Sequence, residues 1–175
     1  MNKETTLCFT GHRPNKLFDY DPTTEGNLKM LKELREIIIF YIEKYEIDTF
    51  ITGMALGIDM WSARIVLKLK EKYPHIKLVC AIPCDKQYSK WVDSSIQEWN
   101  GIVDKADEVH YVSDKPYTNY CMQDRNKWMV DHSNYVIAVW DGSNGGTGNC
   151  VKYAKYRVEQ ILKLNPKTLE QTYVY

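Results

Sequence analysis

The sequence predicts a Rossmann-like α/β fold, a three-layer sandwich built on a mostly parallel sheet of about five to six strands. Three observations carry that prediction. Apolar runs of strand length alternate with longer segments of helical periodicity. The runs are dominated by apolar residues, as strands covered on both faces are. Three of them also end at glycine-containing turns, the punctuation expected where a strand passes into a helix.

Taken in order, Thr5 to Thr10 reads as a first buried strand, ending at Gly11. Leu31, Leu34, Ile38, Ile42 and Tyr45 then recur at helical spacing, which predicts an amphipathic helix over about 25–45. Asp48 to Thr52 gives the second strand, closed by Gly53, and a helix from about Gly57 carries Ile58, Trp61, Ile65 and Leu69 on one face. Ile76 to Ile82 is a third strand stopped by Pro83; Val92, Ile96, Trp99 and Val103 mark a third helix. Val109 to Val112 is a short fourth strand, and Tyr120 to about His132 is helical. Asn134 to Trp140 is the clearest buried strand, followed by a loop with three glycines (Asp141 to Thr147) and a helix carrying Val151, Ala154, Val158 and Ile161. Residues 168–175 add a final edge strand. No internal repeat and no linker divides the chain, so residues 1–175 are read as a single domain.

The chain has 175 residues, and a domain of this length buries roughly 70% of the surface its unfolded chain would expose. With 44% hydrophobic and 26% charged residues it has the composition of a globular protein. Twenty-three basic and 23 acidic residues cancel, so no global field draws it to nucleic acid or to an anionic membrane. No long apolar stretch or signal-like N-terminus is present, which makes the cytoplasm the expected location and leaves the membrane out as a partner. The five cysteines, Cys8, Cys80, Cys84, Cys121 and Cys150, are odd in number and sit mostly in predicted elements, the pattern of reduced structural thiols. Cys80 and Cys84 lack neighbours to complete a zinc quartet, so no metal and no cofactor is expected.

In open parallel sheets, ligands bind beyond the carboxyl ends of the strands. That rule gathers the chain's unusual motifs on one edge: Gly11, His12, Arg13 and Pro14 after the first strand, Gly53 to Asp59 after the second, and Trp140 to Thr147 after the fifth. Gly53, Gly57, Gly145 and Gly146 stand where two turns open into helices, whose first N–H groups lack partners and favour an anion such as phosphate. Arg13, biased to an extended conformation by Pro14, suits a fork onto a phosphate or an ion pair with a surface acid. His12 suits a structural hydrogen bond better than catalysis. Asp59, in the first turn of its helix, complements the dipole or accepts from a ribose hydroxyl. Arg125 and Asn126, and Asp131 and Ser133 at the end of the same helix, either reach the ligand edge or face solvent. Neither a dinucleotide fingerprint nor a P-loop is spelled anywhere.

Together, Gly11-His12-Arg13-Pro14, Gly53-Met54-Ala55-Leu56-Gly57-Ile58-Asp59, Arg125-Asn126 and Trp140-Asp141-Gly142 with Gly145-Gly146-Thr147 resemble, in order and over nearly the whole chain, the YpsA-like branch of the SLOG superfamily. The resemblance implies kinship with the DNA-processing DprA proteins and the LOG phosphoribohydrolases, and a nucleotide-derived ligand, NAD- or ADP-ribose-like or a nucleoside monophosphate, held by these residues. It also implies a homo-oligomer, a dimer. LOG enzymes carry Pro-Gly-Gly-x-Gly-Thr-x-x-Glu with a catalytic Glu; the stretch Asn144 to Lys152 here has neither that Pro nor a Glu in register. Catalytic residues are therefore left unassigned, and the expected role is a sensor or sequestering module. Cleavage of a nucleotide N-glycosidic or phosphoribosyl bond is the alternative. Single-stranded nucleic acid binding ranks last, because the chain is neutral overall.

Overall fold

The computed structural model describes residues 1–175. The elements are β1 (Thr6–Gly11), α1 (Glu25–Tyr45), β2 (Thr49–Thr52), α2 (Ile58–Leu69), β3 (Lys77–Ile82), α3 (Asp93–Lys105), β4 (Glu108–Tyr111), α4 (Cys121–Asp131), β5 (Tyr135–Val139), α5 (Gly146–Ala154), β6 (Gln160–Leu164) and β7 (Gln171–Tyr173). One seven-stranded sheet runs in the order β4-β3-β2-β1-β5-β6-β7, with every neighbouring pair parallel except β6 and β7. The three-layer Rossmann-like architecture is as the sequence predicts.

The layers follow from the two-residue period of the strands. Leu7 and Phe9 of β1, Phe50 of β2 and Leu78, Cys80 and Ile82 of β3 face one core, packed against Met30, Leu34 and Ile38 of α1, Trp61 and Val66 of α2 and Trp99 and Ile102 of α3. Their sequence neighbours Cys8, Ile51, Val79 and Ala81 face the other, packed against Met129 and Val130 of α4 and Cys150, Val151 and Ala154 of α5. Helix α1 stops where Glu46 takes the left-handed conformation (φ 54°), its amide closing onto the Tyr41 carbonyl. All five cysteines are free and buried, and burial pushes the Cys80 thiol up to about 12, so it stays protonated and inert.

Two expectations are corrected. The last helix does not carry Val158 and Ile161: it ends at Ala154, Tyr156 turns the chain at φ 67°, and Gln160–Leu164 becomes β6 beside β5. Short apolar runs satisfy either periodicity, and here the open hydrogen-bonding edge of β5 decides for a strand. The sheet therefore has seven strands, with the predicted C-terminal edge strand present as antiparallel β7. Val92 precedes α3 rather than lying on its buried face, and is exposed; Trp99 and Ile102 anchor that helix. No helix is long and apolar enough to cross a membrane.

What positions the site is the strand order. From β1 the chain builds outward through β2, β3 and β4, then returns to place β5 on the other side of β1. The β1–β5 junction is thus the switch point, where the connections leave toward opposite faces and a crevice opens beyond the strand ends.

Candidate functional site

A cavity of about 280 Å³ occupies that crevice. Its floor is the end of β1, Thr10 and Gly11, and its walls are the following loop, the first turn of α2, the mid-part of α4 and the loop entering α5.

The β1 loop is held by backbone pairing on both sides. His12 donates its amide to the Val139 carbonyl (3.1 Å), and its own carbonyl accepts from the Ile58 amide (3.3 Å). Arg13 is extended (φ −77°, ψ 162°), as the following proline dictates, and Pro14 to Lys16 make one 3-10 turn. Arg13 and Lys16 are exposed cavity-lining cations with no salt bridge in the protein.

Opposite them α5 begins. Its first intrahelical hydrogen bond runs from the Asn149 amide to the Gly145 carbonyl (2.9 Å), so the amides of Gly146, Thr147 and Gly148 precede the ladder and have no helical acceptor. No side chain caps this end, and Gly145 enters it at φ 147°. The loop before it is braced by the Trp140 indole N–H, which donates to the Ser143 carbonyl (2.8 Å), and by the Ser143 amide, which donates to Asp141 Oδ1 (2.9 Å). The same Asp141 oxygen lies 2.9 Å from His12 Nε2. Ser143 and then His12 hold the Asp141 carboxyl well below the usual carboxylate range. Asp141 thereby ties the glycine loop to the β1 loop without lining the cavity itself.

The deepest wall is polar and buried. Arg125 is 5% exposed; its Nε donates to Asn126 Oδ1 (2.9 Å) and its Nη1 donates to the Gly53 carbonyl. Its Nη2 meets only the Met122 sulfur, at 4.0 Å, a poor acceptor. Asn126 Nδ2 has no protein partner. Asp59 Oδ2 accepts from the Ala55 amide (3.2 Å) and stands 3.7 Å from Arg125 Nη1. Burial raises the Asp59 carboxyl above its ordinary range, against the opposing pull of Arg125, the Ala55 amide and Arg13.

Of the residues singled out from sequence, Gly11, His12, Arg13, Asp59, Arg125, Asn126, Gly145, Gly146 and Thr147 line this cavity. Gly53, Gly57 and Asp141 do not; they support residues that do. Asp131 and Ser133 lie at the far end of α4, where β5 begins, on the opposite edge of the sheet. Asn15, Lys16 and Met122 join the lining without having been foreseen. The proline at the head of the Pro14 turn was the one available signal for Lys16, since a proline-led turn brings the residue two places on back beside the loop. A larger and more open groove, about 860 Å³, lies between α1, α2 and α3. Three of its four cations, Arg64, Lys68 and Lys70, are already paired with Glu98, Glu71 and Asp107, and no helix N-terminus with free amides joins Lys105 there as α5 joins Arg13 and Lys16 at the switch-point cavity.

Comparisons with known proteins agree with this architecture. The chain is 37% identical over 152 residues to the uncharacterised SPbeta prophage-derived protein YoqJ of Bacillus subtilis, covering 79% of this chain and 89% of YoqJ. It is 28% identical over 142 residues to a UPF0398 protein of Brevibacillus brevis, covering 81% and 75%. Among solved structures it superposes on DNA processing protein A (DprA) of Streptococcus pneumoniae with a TM-score of 0.64 at 14% identity, covering 93% of this chain and 53% of that one. For DprA of Helicobacter pylori, described for its mode of binding single-stranded DNA, the TM-score is 0.60 at 15% identity, with 93% and 66% covered. The likeness to DprA is one of fold, and this chain spans between half and two thirds of those proteins' length. Residues 7–172 match the family described as the YspA SLOG family, and the chain belongs to it.

Proposed function

We propose that the protein binds a phosphorylated nucleotide-type ligand at the β1–β5 switch point, as a sensor or sequestering module. The observation that carries the reading is the pairing, within one small cavity, of the uncapped α5 N-terminus with a buried, under-partnered guanidinium. Unpaired amides of Gly146, Thr147 and Gly148, with Lys16 and Arg13 across from them, suit a phosphate. Arg125 Nη2 and Asn126 Nδ2 supply donors, and Asp59 an acceptor, for the nucleoside portion. Such a set of converging donors favours a ligand rich in acceptors. A volume near 280 Å³ lies just below the common range for ligand sites, about 300–1,000 Å³. It suits a mononucleotide, and an ADP-ribose-like ligand would extend beyond it.

Binding rather than turnover is favoured because Asp59 is the single carboxylate in the lining and α5 carries no acidic residue. One feature supports hydrolysis as a second reading: the raised Asp59 carboxyl retains a proton more readily than an ordinary acid and so can serve as a proton donor. The fold shared with DprA supports single-stranded DNA as a further ligand class.

The test is a thermal-shift screen against nucleoside mono- and diphosphates, NAD, ADP-ribose and a single-stranded oligonucleotide, with chromatography of each mixture afterwards. A ligand at 100 times its Kd adds about 2.7 kcal/mol of stability. The expected result is a shift by a small nucleotide recovered intact. Cleavage would favour the hydrolase. A shift by the oligonucleotide alone, weakening steeply with salt, would favour DNA. No shift across the panel would sink the reading.

A further inference from the structure

The Gly53 carbonyl, just after β2, accepts from no backbone amide and is held instead by two buried side chains. Arg125 Nη1 donates to it from α4, and Gln87 Nε2 donates to it from the loop between β3 and α3 (3.0 Å). Which end of the Gln87 amide faces the carbonyl is fixed by Trp99 of α3, whose indole N–H can only donate and does so to Gln87 Oε1 (3.1 Å). The peptide gripped in this way is not in a relaxed orientation. Met54, the next residue, is left-handed at φ 59°, a region unfavourable for any residue with a side chain. At the amide end of the same peptide the Met54 N–H meets only Thr52 Oγ1, at 3.4 Å. The carbonyl end therefore carries the restraint. Lys86, immediately before Gln87, is left-handed too (φ 49°), so the chain turns against its own preference to bring Gln87 inward, where it is 9% exposed.

From this we infer that Gln87 is a positioning residue of the candidate site: with Arg125 it holds the Gly53–Met54 peptide in place, and so keeps the guanidinium where its remaining N–H groups serve a ligand. The inference rests on the nucleotide reading above, in which Arg125 meets the nucleoside portion. Gln87, Gly53 and Trp99 do not line the cavity, so Gln87 acts on a ligand only through Arg125. Arg125 has two protein anchors, the Gly53 carbonyl and Asn126 Oδ1, which accepts from Nε (2.9 Å). Without Gln87 the peptide is free to turn its carbonyl away and relieve Met54, which removes the first anchor. Nη1 then has one near alternative, Asp59 Oδ2, already only 3.7 Å away. Closing that gap commits to a protein carboxylate the donors offered to the nucleotide, and takes Asp59 from the ligand as well.

The test measures AMP, GMP and inorganic phosphate by calorimetry on the wild type, Gln87→Met, Arg125→Met and the double variant. Methionine matches glutamine in length and donates nothing. One net hydrogen bond corresponds to roughly three- to tenfold in affinity. Gln87→Met should lose nucleotide affinity by that factor and keep its affinity for inorganic phosphate, which meets the α5 amides, Arg13 and Lys16. In the Arg125→Met background the same substitution should change nucleotide affinity by less than about twofold, because the residue it works through is gone. General damage to the fold would persist in that background and would weaken phosphate binding too. Should Gln87→Met not fold, the wild type decides. Trp99 lies outside the cavity, and its indole N–H resonance, assigned with Trp99→Phe, should move on saturation with whichever nucleotide binds; a resonance that stays in place overturns the inference. Nucleotide affinity unchanged in Gln87→Met, lost equally in both backgrounds, or lost together with phosphate affinity overturns this inference alone. If neither nucleotide binds, the ligand reading falls and this inference with it.

Discussion

Two turns in this protein look alike on paper and do opposite things. Each leaves a central strand, carries glycines and opens into a helix: Gly53 to Gly57 between β2 and α2, and Gly142 to Gly146 between β5 and α5. The first is packed shut. A Cβ at Gly57 would lie 2.7 Å from the His12 carbonyl oxygen and 2.9 Å from Pro14 Cδ, and one at Gly53 would fall inside the Arg125 guanidinium. The second is open. Nothing lies within 4 Å of a Cβ at Gly146, and the nearest atom to one at Gly145 is Lys16 Nζ, at 3.8 Å. In one turn glycine lets protein approach protein; in the other it leaves room for something else. The neighbouring helix ends differ to match. The Ile58 amide at the head of α2 is already taken by the His12 carbonyl, whereas the first amides of α5 have no acceptor in the helix.

If the comparison is sound, alanine in the closed turn should damage the fold, with the largest effect at Gly57. That residue sits at φ 88°, which strains any L-residue, and the added methyl meets backbone that cannot rotate away. Strain and overpacking together should cost about 3 kcal/mol, read from the urea midpoint of Gly57→Ala at unchanged slope. A loss below about 1 kcal/mol would show that the β1 loop gives way easily, and that the turn is not closed in the sense described.

Gly53→Ala should come next, at about 1–3 kcal/mol, because the obstructing atoms belong to a side chain and not to backbone. Its effect on function should be the larger one. To admit the methyl, Arg125 must leave the Gly53 carbonyl and shift its guanidinium edge within the cavity. Nucleotide protection should fall at least as far as in Arg125→Met. Retained protection with lowered stability would separate Arg125 from ligand binding.

What could be read from the sequence divides along the same line. Strands β1, β2, β3 and β5 were legible because their runs are apolar on both faces, and the strand-end rule then gathered His12, Arg13, Asp59, Arg125 and Gly145 on one edge. Strand β6 was not, since Val151, Ala154, Val158 and Ile161 also fit a helix and no glycine or proline separates Ala154 from Gln160. The purpose of each glycine was equally hidden. Whether a missing side chain makes way for Arg125 or for a ligand depends on what lies across the turn, and Arg125 is 72 residues from Gly53. The His12–Asp141 contact spans 129 residues, and no local pattern announces it.

The two carboxylates that flank the site should titrate with opposite signs. Asp141 is depressed in the folded protein, so its contribution is present above the unfolded value, about 3.9, and is lost as pH falls below it. Asp59 is raised, so folding favours its protonated form, and its contribution is present below about 3.9 and is lost as pH rises above it. Stability measured against pH for Asp141→Asn and Asp59→Asn, each subtracted from the wild type, should therefore give difference curves of opposite slope. Equal slopes would mean that Arg125 outweighs burial at Asp59, making that carboxylate a firmly ionised partner and removing the ground for assigning it a proton-donor role.

The smallest expected effect on the fold is the most informative for the open turn. Gly146 is the first residue of α5, has no φ restriction and faces open space, so alanine there should raise stability by about 0.5 kcal/mol by restricting the unfolded chain. The same methyl would stand in the cavity beside the amides offered to a phosphate. Gly146→Ala should therefore melt slightly higher than the wild type when free, and gain less from a saturating nucleotide. That crossing cannot come from general damage, because it needs a better fold and a poorer site in one variant. If Gly146→Ala gains stability and binds as before, the space at the head of α5 is incidental, and the contrast between the two turns concerns packing alone.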